Sequence, residues 1–284
     1  MDIDTRSVIR TLKEHGNHRV VRSLLTNKAN KNIVFANGAF HFIDANGRYN
    51  LFKGLLPVLK ANFWSTTNMN NIMRKPKNNK SKNNRNIAPR VAAAAASPSK
   101  GKGRFFGSIQ GSRVHNELED FILLDDKNFI KKHGVLHPWT KRILIHIICQ
   151  MGCYPVECEF PVYDEMLGIA TKMDMIGVNP VNGNLVFFEF KTGYNGYFEN
   201  SDGFMAKSLS TMPNSPLNWA NIQLTASVVM LLRLHTNIQL QNTSSYVIRV
   251  DDNNLDTYKI DNKFIHMMNP RLLNDIVIPV NQKK

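Results

Sequence analysis

Cysteine is scarce: the 284 residues hold three, Cys149, Cys153 and Cys158. Three thiols do not supply the four thiolates of an iron–sulfur cluster, so none is expected. No Cys-x-x-Cys pair occurs, which argues against a structural zinc site. The odd count, with no apolar h-region in the N-terminal MDIDTRSVIR, points to reduced thiols in an intracellular protein. Long hydrophobic runs are missing as well. ILIHIIC and SVVMLL are the size of core segments and too short to span a membrane, so no membrane association is expected. Internal repeats are absent. Acidic residues are in deficit, 22 against 36 Lys and Arg, for a net charge of +14.

That deficit is local. Residues 1–66 carry ten basic against four acidic residues, or +6; residues 67–104 carry ten against none, or +10. Residues 105–284 carry sixteen against eighteen, or −2. Phosphate neutralisation supplies much of nucleic-acid affinity. The basic extension is therefore expected to tether DNA, with RNA also open, ahead of a slightly acidic main domain. A solubilising or targeting arm would have the same composition.

Residues 67–104 contain RKPKNNKSKNNRN, an alanine run and SPSKGKGR, a low-complexity pattern that predicts a disordered basic linker. The run from Arg74 to Lys82 has the form of a nuclear localisation signal. The nucleus is thus expected ahead of the cytoplasm, with the mitochondrion also open. In residues 1–66, helical patterns at Thr5 to Glu14 and His18 to Leu25 precede β-prone stretches with Asn-Gly turns at 37–38 and 46–47. A small winged-helix-like unit fits this order, and so does a small α+β cap packed on the rest. The abundance of Asn, Ile and Lys suggests an AT-rich genome, such as that of a large DNA virus.

The main domain holds a predicted β-hairpin. Gly168 to Val178 and Leu185 to Tyr194 are β-prone, and the NPVNGN between them is dense in turn residues. A turn centred between Val181 and Asn182 sets Asp174 opposite Glu189 and Lys172 opposite Lys191. Strand side chains alternate, so Leu185, Phe187, Glu189 and Lys191 share one face while Val186, Phe188 and Phe190 share the other. Two facing carboxylates at a half-buried site repel and lose solvation. A divalent cation offsets both costs, and carboxylate oxygens are the ligands Mg²⁺ prefers. Ordinary surface charges on an exposed hairpin would produce the same pattern. Lys172 opposite Lys191 is unfavourable unless an anion lies between them. A phosphate would serve, and a solvated Lys172 reads equally well.

Upstream, Val114, Leu118, Phe121 and Ile122 recur at helical spacing, with His115 and Glu119 on one face. A histidine beside such a stripe is commonly structural. Pro138 to Met151 reads as a helix, Pro155 to Tyr163 as a strand, and Leu217 to Arg233 as a long helix. Strands at Ser245 to Val250 and Leu255 to Ile260 flank the turn that begins at Asp251.

In this order the motifs resemble the RecB-like branch of the PD-(D/E)xK nucleases, relatives of lambda exonuclease and the mitochondrial genome maintenance exonucleases. The pattern of Gly-x-x-x-His-x-x-x-Glu falls on Gly111, His115 and Glu119. Its strand acid falls on Glu157 or Glu159, its Gly and Asp on Gly168 and Asp174, and its Glu-x-Lys on Glu189 and Lys191. Its closing Gln is Gln223, while Ser227 stands where the pattern has Tyr, so that position's DNA contact does not carry over. The resemblance covers roughly residues 104 to 260.

The resemblance implies an α/β fold: a restriction-endonuclease-like core over 105–284, with a central mixed β-sheet flanked by helices, behind a small N-terminal α+β extension. It implies Mg²⁺ or Mn²⁺ held by His115, Asp174, Glu189 and the carbonyl of Phe190. Asp174, Glu189, Lys191 and Gln223 would be catalytic. Glu119 and Glu159 would support His115 or hold a second metal, and Lys172 would contact a DNA phosphate. The implied activity is metal-dependent DNA hydrolysis, as an exonuclease in replication, recombination or repair. A structure-specific endonuclease and a catalytically silent nucleic-acid-binding protein on the same fold are the alternatives.

Overall fold

The computed structural model describes residues 33–36, 39–43, 46–64, 72, 102–194 and 196–276. The expected helices at 5–14 and 18–25 lie outside these residues, as does nearly all of the expected linker.

The chain is mixed α/β, with a mixed sheet between two layers of helices. Strands β1 (Ile33–Ala36), β2 (Ala39–Ile43) and β3 (Tyr49–Leu51) form a separate antiparallel sheet. A short strand β4 (Lys53–Gly54) then leads into helix α1 (Leu55–Phe63). Helices α2 (Lys102–Leu123), α3 (Asp126–His133) and α4 (Pro138–Ile145) follow, and a π-helical turn at His146–Gln150 extends α4. Strands β5 (Tyr154–Asp164), β6 (Ile169–Val178) and β7 (Leu185–Thr192) come next, then α5 (Pro216–Leu234), β8 (Thr243–Val250), β9 (Leu255–Ile260) and α6 (Asn262–Asp275).

Local chemistry sets the boundaries. The Asp125 carboxylate caps α3 by accepting from the Asn128 N–H at 2.9 Å, and Ser215 caps α5 by accepting from the Asn218 N–H at 3.2 Å. Pro138 and Pro216 occupy the first turns of α4 and α5, where a missing N–H removes no helical bond. After β8, Asp251 Oδ1 accepts from the N–H groups of Asn253 and Asn254 and closes the turn to β9.

The alternation along β7 sorts two cores. Phe187 joins α1, α5 and α6 on one face of the sheet; Val186, Phe188 and Phe190 join α2, α3 and α4 on the other. Between the layers, Gly177 sits where a Cβ would come within 2.5 Å of Cys153 Sγ and 3.1 Å of the Tyr154 carbonyl oxygen. Gly177→Ala is therefore expected to destabilise the fold by about 1–3 kcal/mol through overpacking, read as a lower urea midpoint with an unchanged m-value.

The sheet's pairing places a gap. Strands β6 and β7 pair antiparallel from Val178↔Leu185 to Met175↔Phe188. Beyond that they part, and β4 takes up β6 in parallel at Ile169–Ala170. Strand β5 follows β6 on its other side from Tyr154↔Val178 to Asp164↔Ile169, with a register shift after Pro155 and no pair at Glu159 or Asp174. Among the described residues, 171–173 thus have a ladder partner on one side only, and Asp174, at the point of divergence, has a ladder partner in neither neighbouring strand.

The expected N-terminal unit, 1–66, does not stand apart where it is described. Strand β4 extends the main sheet, and Leu55, Val58, Leu59 and Phe63 of α1 are buried in the main core. The β1–β3 sheet packs as a cap through Phe42, Phe52 and Tyr163. The boundary expected at 104/105 falls inside α2, which starts at Lys102. Among the described residues, no helix is long and apolar enough to cross a membrane.

Candidate functional site

The extrapolated register of the hairpin sets Asp174 against Glu189, and the parting of the strands frees both side chains. In place of a ladder bond, the Phe190 N–H donates to Asp174 Oδ2 at 2.7 Å. Glu189 is 2 % exposed, and Lys191 Nζ donates to its Oε1 at 2.6 Å. Lys191 Nζ also donates to Gln223 Oε1 at 3.2 Å, which ties α5 to the hairpin. Asp174, Glu189, Lys191 and Gln223 thus form one connected group.

Helix α2 approaches from the other side. Gly111 permits this: a Cβ there would lie 2.7 Å from Thr192 Oγ1 at the end of β7. One turn on, His115 Nδ1 lies 3.0 Å from Glu159 Oε1 and 3.8 Å from Asp174 Oδ1. Lys172 Nζ lies 3.7 Å from Glu159 Oε2. Gly111, Ser112, His115, Asn116 and Glu119 of α2 line one wall of an open cleft of about 410 Å³; Glu159, Lys172 and Thr192 line the other.

Of the two candidate acids on β5, Glu159 reaches this site. The register slips between Pro155 and Glu157, and Glu159 takes a φ of +50°, in the left-handed region. The irregularity turns Glu159 into the cleft. Glu119 lines the cleft one helical turn beyond His115. Ser227 is buried, and its hydroxyl donates to the Gln223 carbonyl at 3.0 Å, so it braces α5 and does not face the cleft. The cleft also takes in Ser112, Asn116 and Thr192, which the motifs do not mark. Ser112 and Asn116 share the helical face of His115 and Glu119, and that spacing is the signal that could have found them.

The electrostatics are those of crowded carboxylates. Burial disfavours the charge on His115, yet Asp174, Glu159 and Glu189 outweigh it and raise its pKa to about 9. Burial, then Asp174, lifts Glu189 to about 7 against the pull of Lys191. Burial also raises Asp174, opposed by His115 and Lys191. For Glu159 burial acts upward, but the hydrogen bond from His115 and the nearby Lys172 hold its pKa below the usual value. Burial works against the charge of Lys191, and Glu189 and Asp174 more than restore it.

Protons on His115 and Glu189 and the Lys191 ammonium thus balance the carboxylates. Ligand atoms of His115, Glu159 and Asp174 all lie within 4.8 Å of one another. One imidazole and two carboxylates form a nitrogen–oxygen donor set of the kind that can hold a divalent cation. The expected ligand set had His115, Asp174, Glu189 and the Phe190 carbonyl, with Glu159 as a supporting or second-metal residue. In the structure Glu159 groups with His115 and Asp174, while Glu189 is engaged by Lys191 and Phe190 meets Asp174 through its N–H.

The three cysteines are free thiols. Burial pushes Cys153 up to about 12 and, with the neighbouring acids, raises Cys158 well above the ordinary thiol value, so neither offers a thiolate at neutral pH. No protein-family model matches the chain, and no curated protein matches it.

Proposed function

We propose that this chain is a divalent-metal-dependent nuclease with a restriction-endonuclease-like core, hydrolysing phosphodiester bonds of DNA as an exonuclease. The observation that carries the reading is Asp174. It sits where β6 changes partners, with Glu189 bound to Lys191 on one side and Glu159 bound to His115 on the other.

His115, Glu159 and Asp174 would hold the cation. When bound, Mg²⁺ or Mn²⁺ supplies positive charge for the scissile phosphate and lowers the pKa of a coordinated water. Lys191 presents a fixed ammonium to charge developing on the phosphate. Gln223 and Glu189 hold that ammonium from two sides. Lys172 adds a second cation at the rim, placed to meet a neighbouring phosphate. The test is degradation of end-labelled linear DNA and covalently closed circles in Mg²⁺ or EDTA. Metal-dependent loss of the linear substrate alone supports the reading; equal cutting of closed circles sinks the exonuclease assignment.

The basic extension enters as the DNA tether in a nuclear or other DNA-containing compartment. Deleting residues 1–103 is a poor probe, because β4 and α1 would leave the main sheet and core. Replacing the ten Lys and Arg of residues 67–104 with Gln avoids this. Weaker DNA binding is expected, with the slope of log K against log salt flatter by roughly 0.7–0.9 for each phosphate that is no longer neutralised. An unchanged slope would show that the main domain grips DNA unaided.

A further inference from the structure

The cap sheet carries an aromatic row whose last member is not needed for packing. Phe42 and Phe52 lie 6.2 Å apart and Phe52 and Tyr163 lie 6.0 Å apart, edge to face or tilted, and these contacts seat the cap on β5 and β6. Phe35 pairs across the β1–β2 ladder with Phe40, their centroids 4.9 Å apart. Phe35 itself is 51 % exposed. Lys172 Nζ stands 4.6 Å from the centre of its ring and 3.7 Å from Glu159 Oε2. The exposed ring is therefore joined to the candidate metal-binding carboxylate through one lysine ammonium.

We propose that Phe35 and Lys172 form a subsite for one unpaired nucleotide beside the scissile phosphate, so that the substrate is a single strand or a frayed end. The assignment rests on the nuclease reading for its position and on the Phe35–Lys172 pair for its chemistry. An exposed aromatic face accepts any base by stacking, with little sequence preference. The adjacent ammonium offers a charge-assisted hydrogen bond to the phosphate of the same nucleotide. A base within a duplex presents only its edges and cannot lie flat on the ring, so the subsite discriminates against intact duplex.

The test measures binding in EDTA, where cleavage plays no part. The full-length chain is titrated into a single-stranded DNA carrying 2-aminopurine at its end, the matching RNA, and the blunt DNA duplex. Stacking is read as quenching of the 2-aminopurine, and affinity as fluorescence anisotropy. Phe35→Ala and Phe35→Leu are expected to weaken single-strand binding on the order of tenfold and remove the quenching, while Phe35→Trp retains both. Duplex binding is expected to stay within about twofold in all three, since phosphate contacts carry it. Equal loss on single strand and duplex, or quenching that survives Phe35→Leu, overturns the subsite. The DNA and RNA arms decide which nucleic acid it takes. Absence of Mg²⁺-dependent cleavage with quenching intact would overturn the nuclease reading and leave the subsite standing.

Discussion

Asp174→Ala is expected to abolish metal-dependent degradation of linear DNA and Lys191→Ala to slow it by about 10²–10³-fold, each leaving a folded chain. Asp174 shares a cluster of closely spaced ligand atoms with His115 and Glu159, and it also accepts the Phe190 N–H. Its loss removes a proposed cation ligand and the acceptor of the Phe190 N–H that bridges the parted strands. Lys191 removal takes away the ammonium paired with Glu189 and leaves Glu189, 2 % exposed, with an uncompensated carboxylate. A preorganised charge of this kind contributes on the order of 10²–10³-fold in rate. Lys191→Ala should therefore lower single-turnover cleavage by about that factor, and Asp174→Ala should reach background. Glu189 protonates in the Lys191 variant, so folding survives and circular dichroism stays native. Activity that persists in either variant would remove this site from the mechanism.

The second large effect is on pH and metal together. His115 has its pKa raised from 6.5 to about 9, so its ionic contribution is fully present below pH 6.5 and is lost as pH rises through about 9. Glu189 is raised from 4.5 to about 7. The fold favours its protonated form, and that contribution is present below pH 4.5 and lost as pH rises through about 7. Both groups act in one direction. In EDTA the melting temperature should fall steadily between about pH 5 and pH 9, by about 1.4 kcal/mol of stability per pH unit for each proton involved.

Mg²⁺ or Mn²⁺ should flatten that decline, because the cation takes over from the protons as counter-charge. Metal binding then releases protons, and affinity should rise by up to about tenfold per pH unit for each proton displaced. Isothermal titration in two buffers of different ionisation enthalpy counts those protons directly. A metal affinity independent of pH, with a flat apo stability curve, would show that His115 and Glu189 are not linked to the cation. His115→Gln is the control: it should remove the upper part of the slope and leave the part governed by Glu189.

Much of this site is legible in one dimension. The hairpin's turn residues and alternating strands set its register, and arithmetic on the turn centre gives the observed pairing from Val178↔Leu185 to Met175↔Phe188. Helical spacing puts His115, Glu119 and the apolar stripe of α2 on their respective faces. The choice of Glu159 over Glu157 is not legible. It depends on a register slip and a left-handed residue in β5, and neither leaves a mark in residue type. The position of Phe35 is equally hidden, since it needs a cap strand to meet a lysine far along the chain.

Local pattern thus suffices wherever the controlling interaction is local: the turn, the period of a strand or helix, the capping residue. Short-range geometry limits those conformations to a few, and side-chain type selects among them. The site's completion depends on contacts between distant segments. A two-residue parallel pairing brings β4 against β6, and the gap this leaves lets Asp174 approach His115 and the Phe190 N–H. Such pairings are chosen by the packing of whole layers, in which α1, β4 and the cap compete for the sheet's edge and face. That balance is a property of the folded core, and no stretch of sequence carries it alone.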